Sequence, residues 1–235
     1  MCSDHECSQK EKNVIKEKNI MIDTVIFDLD GTLLYTIEDL TDGVNYAMEQ
    51  FGYPSHTVEA VRNMVGNGIK NLIKRAIPDG MDNPDFENVF NAFKAFYTDN
   101  CMVKTRPYDG IMDVLEYLKG KGFKTAIVSN KNNQAVQRLK EHFFDDYIMV
   151  TVGQSDDIQK KPAPDMVLKA MKELKSDAAT CVYVGDSEVD YETAKNAGMK
   201  GIIVSWGFRD RTELEKLADV TLADKPAQLL DMITH

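Results

Sequence analysis

The sequence predicts an α/β protein with a doubly wound, mostly parallel sheet of Rossmann-like type and an inserted α-helical domain. Three observations carry this reading. Short apolar runs (TVIFD, KTAIVSN, YIMVTVG, CVYVGD and KGIIVSW) alternate with helical patterns, the rhythm of strands covered by helices on both faces. Several of these runs end in polar residues: Asp28 and Asp30, then Ser129 and Asn130, then Asp186. Between Tyr35 and Arg106 no strand pattern occurs, only helical spacing.

In chain order, residues 1–20 (MCSDHECSQKEKNVIKEKNI) are polar and lysine-rich, with too little apolar surface to order on their own, and read as a tail. Within them, Cys2, His5 and Cys7 fall short of the four ligands that a structural zinc site takes. The core is assigned to residues 21–35 and 106–235. Val25, Ile26 and Phe27 form its first strand, and burial places Asp28 at the strand's carboxyl end. Side chains in a strand alternate faces, so Asp28 and Asp30 project to one side, and Gly31 lets the backbone turn. Two carboxylates at one mouth call for a cation.

The helical insertion spans residues 36–105. Thr36 with Asp39 has the pattern of a capping box, followed by Leu40, Val44, Ala47, Met48 and Phe51 until Gly52 and Pro54 stop the helix. Asn83 and Pro84 read as the cap and first turn of another, with Phe86, Val89, Phe90, Phe93, Phe96 and Tyr97 on one face. That stripe reads as the core of a small bundle, and its place directly after the acidic loop makes the insertion a candidate lid. Beyond Thr105, Ile111, Val114, Leu115 and Leu118, then Ala135, Val136 and Leu139, keep helical spacing between strands. In such sheets ligands bind beyond the carboxyl ends of the strands, where the polar residues cluster.

A formal net charge of -10 over 235 residues argues against a nucleic-acid partner, which needs clustered Lys and Arg. The cysteines, Cys2, Cys7, Cys101 and Cys181, follow no regular spacing, and no signal peptide or membrane-length apolar span is apparent. A cytoplasmic protein without a membrane partner, monomeric or weakly dimeric, is expected.

DLDGT (Asp28 to Thr32), VSN (Val128 to Asn130), KPAP (Lys161 to Pro164) and GDSEVDYETAKNAG (Gly185 to Gly198) resemble, in order, the four motifs of the haloacid dehalogenase-like phosphatase superfamily. The insertion resembles the α-helical cap of its phosphoglycolate phosphatase-like group, and MVGNGIKNLIKRAIP (Met64 to Pro78) and SWGFRD (Ser205 to Asp210) are similar to that group too. The resemblance implies a Mg2+-dependent phosphomonoester hydrolase working through an aspartyl-phosphate. Asp28 is then the nucleophile, expected to be ionised at neutral pH. Asp30 protonates the leaving alkoxide and then activates water. Asp28, the backbone carbonyl of Asp30 and Asp186 hold Mg2+, with Asp190 beside the metal orienting Lys161 or a metal-bound water. Thr32, Ser129, Asn130 and Lys161 contact the phosphoryl group. Tyr35 departs from the pattern, which commonly has aspartate there, and leaves the contact between core and cap open.

Rival readings differ in how they fare. A strict dehalogenase lacks the second aspartate, so Asp30 favours phosphate over halide. A phosphoglucomutase-type mutase keeps all four motifs and stays open, as do sugar-phosphate and pyrophosphate hydrolases. A phosphoacceptor signalling domain would be shorter, without the insertion or the second acid. A calcium loop fails, because Ile26 and Ile37 would fall where carboxylates are required. For the organic half of the substrate, Gly66 and Gly68 flank Asn67 at a helix start whose N–H groups suit a carboxylate, and Lys70, Lys74 and Arg75 follow. Arg209 adds a guanidinium from the core side. The expected substrate is a small anionic phosphoester such as 2-phosphoglycolate.

Overall fold

A strand buried on both faces needs apolar side chains on both, and β1 (Thr24–Phe27) is buried along its whole length. The computed structural model describes residues 21–66 and 68–234; Cys2, His5, Cys7 and Asn67 lie outside them. After β1 the chain turns at Gly31, whose φ of 89° suits a residue without a side chain, into β2 (Leu34–Tyr35). Four helices follow: α1 (Ile37–Gln50), α2 (Val58–Met64), α3 (Ile69–Ala76) and α4 (Phe86–Asn100). β3 (Arg106–Pro107) then pairs antiparallel with β2 and closes the excursion. Thereafter helices and strands alternate: α5 (Ile111–Gly120), β4 (Lys124–Asn132), α6 (Asn133–Phe143), β5 (Val150–Gln154), α7 (Asp165–Leu174) and β6 (Cys181–Gly185). The chain ends with α8 (Glu188–Asn196), β7 (Lys200–Val204), α9 (Arg211–Leu214), β8 (Leu222–Ala223) and α10 (Pro226–Thr234).

The main sheet has the order β5-β4-β1-β6-β7-β8, and every pairing in it is parallel. It is the doubly wound α/β sheet expected. β1 lies at its centre, with Phe27 beside Ile127 of β4 and Val184 of β6. The strand order reverses there, and a crevice opens where chains leave a sheet in opposite directions. Alternation along the strands divides the core. Val25, Phe27, Ile127 and Val184 pack on one face with Ile111, Leu115, Leu139 and Leu229. Ile26, Ala126, Val128 and Tyr183 pack on the other with Met166, Val167, Ala170 and Ala194. Among the described residues no helix is long and apolar enough to cross a membrane.

The insertion has its own apolar cluster, in which Leu40, Val44, Ala47 and Met48 of α1 meet Val89 and Phe93 of α4 and Leu72 and Ile73 of α3. Phe208, from the loop after β7, is the core residue that joins it. At position 35 the contact is aromatic: the Tyr35 ring meets Tyr108 edge-on at 5.7 Å and carries the Arg106 guanidinium at 4.5 Å.

Local expectations needed three corrections. Thr36 is the N-cap of α1, but its side chain makes no cap bond and its buried hydroxyl has no partner. Asp39 instead accepts hydrogen bonds from the backbone N–H groups of Lys104 (2.9 and 3.1 Å) and Thr105 (2.9 Å). The returning chain, distant in sequence, outcompetes the local cap. The last insertion helix starts at Phe86 rather than Pro84, with Asn83 Oδ1 accepting from Asp85 N at 2.8 Å. In YIMVTVG the strand begins only at Val150. The short β8 and the C-terminal α10 extend the core beyond what the pattern was read to show.

Asp39 is 2% exposed, so removing it strands two backbone donors in a dry hinge. Asp39→Ala is expected to lower the unfolding free energy by about 3 kcal/mol in urea titrations, on the scale of two lost bonds to a buried charge. A loss under about 0.5 kcal/mol would show that water replaces the carboxylate.

Candidate active site

The carboxyl ends of β1, β4 and β6 converge because the three strands are neighbours in register, with Asp28 just after β1, Ser129 near the end of β4 and Asp186 just after β6. Asp28 follows β1, and Lys161, from the loop between β5 and α7, reaches it: Nζ lies 2.6 Å from Asp28 Oδ1. The same ammonium donates to Asp190 Oδ1 at 2.7 Å and to the Tyr183 hydroxyl at 3.0 Å. Burial alone would lower the Lys161 pKa, but the carboxylates of Asp190 and Asp28 outweigh it and hold it well above the usual lysine value. Asn130 fixes the backbone beneath, accepting from Lys161 N at 2.8 Å and donating to Lys161 O at 3.1 Å.

Asp190 has two tasks. Its Oδ2 completes a capping box at the start of α8, accepting from Ser187 Oγ at 2.6 Å and from the N–H groups of Asp186 and Ser187 at 3.2 Å each. Its Oδ1 holds Lys161 and the Tyr183 hydroxyl. Asp186 sits just before the helix, and its Oδ2 accepts from Phe208 N at 2.7 Å. Glycine is required at two close approaches: a Cβ at Gly31 or at Gly207 would collide with the Asp186 side chain.

Asp30 lies on the same side of the rim but has a different partner. Lys131, on β4 two residues past Ser129, brings Nζ to 3.0 Å from Asp30 Oδ1 and 3.3 Å from Oδ2, and donates to the Tyr97 hydroxyl of α4 at 2.8 Å. Asp30 raises the Lys131 pKa against the burial that would lower it. Ser129 Oγ accepts from Lys131 N at 3.2 Å, which leaves its own hydrogen to donate. The Thr32 hydroxyl is buried without a partner among the described residues.

The family model described as haloacid dehalogenase-like hydrolase matches residues 25–204. The chain belongs to the haloacid dehalogenase-like hydrolases. It is similar to the phosphoglycolate phosphatase of Aquifex aeolicus (strain VF5), 30% identical over 212 residues that cover 90% of this chain and 96% of the relative. It is 34% identical to that of Neisseria gonorrhoeae (strain ATCC 700825 / FA 1090) over 209 residues, 87% of this chain and 88% of the relative. A solved structure from Lactobacillus delbrueckii subsp. bulgaricus, provisionally described as a phosphoglycolate phosphatase, superposes with a TM-score of 0.87 at 37% identity, covering 91% of this chain and 99% of that one. The chain thus falls in the family's phosphoglycolate phosphatase-like group and is a phosphatase, which sets aside the phosphoacceptor reading.

A haloacid dehalogenase-like phosphatase generally uses a divalent metal, and the donor set here suits one. Carboxylate oxygens of Asp28, Asp186 and Asp190 lie within 4.8 Å of one another, all buried. Hard oxygen donors of this kind favour a small divalent cation. Asp190 is in the cluster by distance, and both its oxygens also accept the hydrogen bonds described above. Asp28 Oδ2 and Asp186 Oδ1, by contrast, accept no hydrogen bond from a described residue. Burial pushes the Asp28 pKa up to about 7 despite Lys161. Burial and then the charges of Asp190 and Asp28 raise Asp186 well above the carboxylate range. Burial thus works against the ionised Asp28 expected at neutral pH, while Lys161 works for it.

Of the residues expected to meet the phosphate or the organic half, Asn130 spends its amide on the Lys161 backbone. Arg75 and Arg209 do converge, but on backbone carbonyls: Arg75 on Met64 O (2.6 Å) and Gly66 O (3.0 Å), Arg209 on Val65 O (3.1 Å). Arg209 is also held by both oxygens of Glu188, at 2.9 and 3.2 Å. Lys70 pairs with Glu87 at 3.2 Å, and the stem of Lys74 lies against Gly80. The reading of the sequence missed Lys131, Tyr97 and Tyr183 as site residues. The signal for Lys131 was available: in VSNK it stands two places after Ser129, on the same face of a strand end. Tyr183 and Tyr97 carry no such signal, being apolar-pattern positions whose hydroxyls only the fold directs.

The raised carboxylates set a pH dependence. A carboxyl whose folded pKa exceeds its unfolded value stabilises fully below that unfolded value, and the contribution is lost as pH rises through the folded pKa. For Asp28 the window runs from 3.8 to about 7. A divalent cation competes with those protons, so millimolar Mg2+ is expected to raise Tm more at pH 8 than at pH 5.5. Equal shifts at both pH values, read by scanning fluorimetry, would contradict this placement of the cation.

Proposed function

We propose that the chain is a Mg2+-dependent phosphomonoester hydrolase that acts on a small phosphorylated metabolite, 2-phosphoglycolate, through an aspartyl-phosphate. The observation that carries this reading is Asp28 at the centre of the rim, ion-paired with Lys161 and followed two residues later by a second acid on the same side. Asp28 attacks phosphorus and the bond to the ester oxygen breaks, while Asp30 hands its proton to the departing alkoxide. Water then cleaves the acyl phosphate, and Asp30 takes a proton from it, which regenerates Asp28.

The remaining residues hold charge and geometry. Lys161 neutralises the phosphoryl oxygens, and Ser129 and Thr32 have hydroxyls to donate to them. Asp190 and Tyr183 keep Lys161 in place. Mg2+, held by Asp28, Asp186 and the backbone carbonyl of Asp30, would neutralise the carboxylates and polarise the phosphoryl group. The helical insertion, residues 36–105, acts as the cap that covers the leaving group and excludes water. The names of the relatives support phosphoglycolate as substrate. A net charge of -10 supports an enzyme without a nucleic-acid partner.

Asp28→Asn keeps the shape of the side chain and removes the nucleophile, so kcat/KM is expected to fall by roughly 10³-fold with Tm preserved. Activity within tenfold of the unaltered enzyme would remove Asp28 from the mechanism. A panel of phosphate esters with Mg2+ tests the substrate. Phosphoglycolate should exceed sugar phosphates, nucleotides and pyrophosphate in kcat/KM, and excess chelator should abolish turnover. Stable glucose 6-phosphate formed from β-glucose 1-phosphate would make the enzyme a mutase instead.

A further inference from the structure

We propose that Lys131 is the specificity-determining cation of this site: its ammonium receives the carboxylate of the substrate's organic half, and Tyr97 of the insertion holds it in position. The proposal deepens the phosphoglycolate reading and rests on it. Lys131 is a buried cation, its side chain 8% exposed, at the end of a strand that delivers Ser129 to the same rim. The pairing of β4 with β5 shifts register between Ser129 and Asn132, and such an irregularity re-aims the side chains within it. Three atoms surround the ammonium: Asp30 Oδ1 and Oδ2 on the core side and the Tyr97 hydroxyl on the insertion side. Its charge also lies over the Tyr97 ring, 4.8 Å from the centroid.

Distance argues for the organic half. In the proposed reaction the Asp30 carboxyl stands within hydrogen-bond reach of the ester oxygen, and Lys131 touches that same carboxyl. The ammonium therefore lies about 5–6 Å from the ester oxygen, two hydrogen-bond lengths through one carboxyl group. A carboxylate one methylene beyond the ester oxygen spans that gap and can accept from Lys131, whereas a neutral chain of equal length would put carbon beside a buried charge. Lys70, Arg75, Arg209 and Lys131 all have protein partners, and what sets Lys131 apart is which one: Lys70 meets Glu87, Arg75 the carbonyls of Met64 and Gly66, and Arg209 Glu188 and Val65, whereas Lys131 meets Asp30, the acid that serves the ester oxygen in the proposed reaction. Tyr97, buried and stacked on Phe93 at 5.3 Å, is anchored in the insertion's own core. The insertion thereby gains a direct hold on the group that tells one ester from another.

The test separates recognition of the carboxylate from service to Asp30. With Mg2+ present, 2-phosphoglycolate and ethyl phosphate share the ester oxygen and differ by the carboxylate. Lys131→Met is expected to cut the kcat/KM preference for phosphoglycolate over ethyl phosphate by about 100-fold, mostly through KM, and Lys131→Arg to restore part of it. Binding without turnover supplies a second readout. By calorimetry, Lys131→Met should weaken 3-phosphonopropionate at least about 10-fold and propylphosphonate less than about 3-fold. Tyr97→Phe, which leaves the cation but removes its hydroxyl partner, should lower the same preference by at least about 3-fold, and it carries the test should Lys131→Met fail to fold. Equal losses for both esters with an unchanged ratio of phosphonate affinities would overturn the proposal and leave Lys131 as a positioning residue for Asp30. If the unaltered enzyme itself prefers ethyl phosphate, the phosphoglycolate reading falls; if it prefers phosphoglycolate and the Lys131 and Tyr97 variants keep that preference, the inference about Lys131 alone falls.

Discussion

Lys161 carries a full positive charge where its side chain is 3% exposed, and Asp28, Asp190 and Tyr183 take its three hydrogens. A buried ammonium is tolerated only when every donor is matched and counter-charge is at hand, because desolvation otherwise exceeds the attraction. Much of the rim follows from that condition. Asn130 clamps the Lys161 backbone from both sides, so β4 and the loop that bears the lysine move together. Asp190 can serve Lys161 only while α8 starts where it does, since the same carboxylate caps that helix. Two carboxylates answering one lysine still leave the pocket acidic once Asp186 and the Asp30–Lys131 pair are counted. The divalent cation that the family generally uses is thus matched to a cluster of buried carboxyl groups that outnumber the lysines beside them.

The loop after β7 couples this charge cluster to the helical insertion. Phe208 donates its backbone N–H to Asp186, while its ring belongs to the apolar cluster of the insertion. Arg62 of α2 reaches Asp210 at 2.9 Å, and Arg209 reaches back to Val65. Together with Lys131 and Tyr97 on the other side of β1, these contacts make two bridges between insertion and core. Each bridge touches a carboxylate of the site, so the position of the insertion and the geometry of Asp186 and Asp30 are not independent. The Asp39 carboxylate, which ties the two linkers together, sets the hinge on which both bridges depend.

Where local chemistry had to compete with distant chain, reading the sequence went astray for a consistent reason. Thr36 and Asp39 have the spacing of a capping box, yet the buried Asp39 carboxylate serves the N–H groups of Lys104 and Thr105, brought to it by the returning chain. Arg75 and Lys70 follow a glycine-flanked helix start, but their donors go to carbonyls and to Glu87, which lie closer than any site at the rim. Tyr97 reads as one more aromatic in a packing stripe, and its ring does pack on Phe93, while its hydroxyl crosses to the core.

The sequence by itself determined the α/β architecture, the strand character of TVIF and the carboxyl-end location of Asp28, Asp30, Ser129 and Asp186. Those features rest on short-range physics: apolar runs bounded by polar residues, period-2 alternation, and glycines where the backbone must turn. Tertiary structure alone decided the remaining pairings of charge. That Lys131 pairs with Asp30 and that Arg209 fastens the insertion follow from which strand ends and loops the fold brings within about 3 Å of one another. Ion pairing falls off with separation in space and is blind to separation along the chain, so no spacing of letters encodes it.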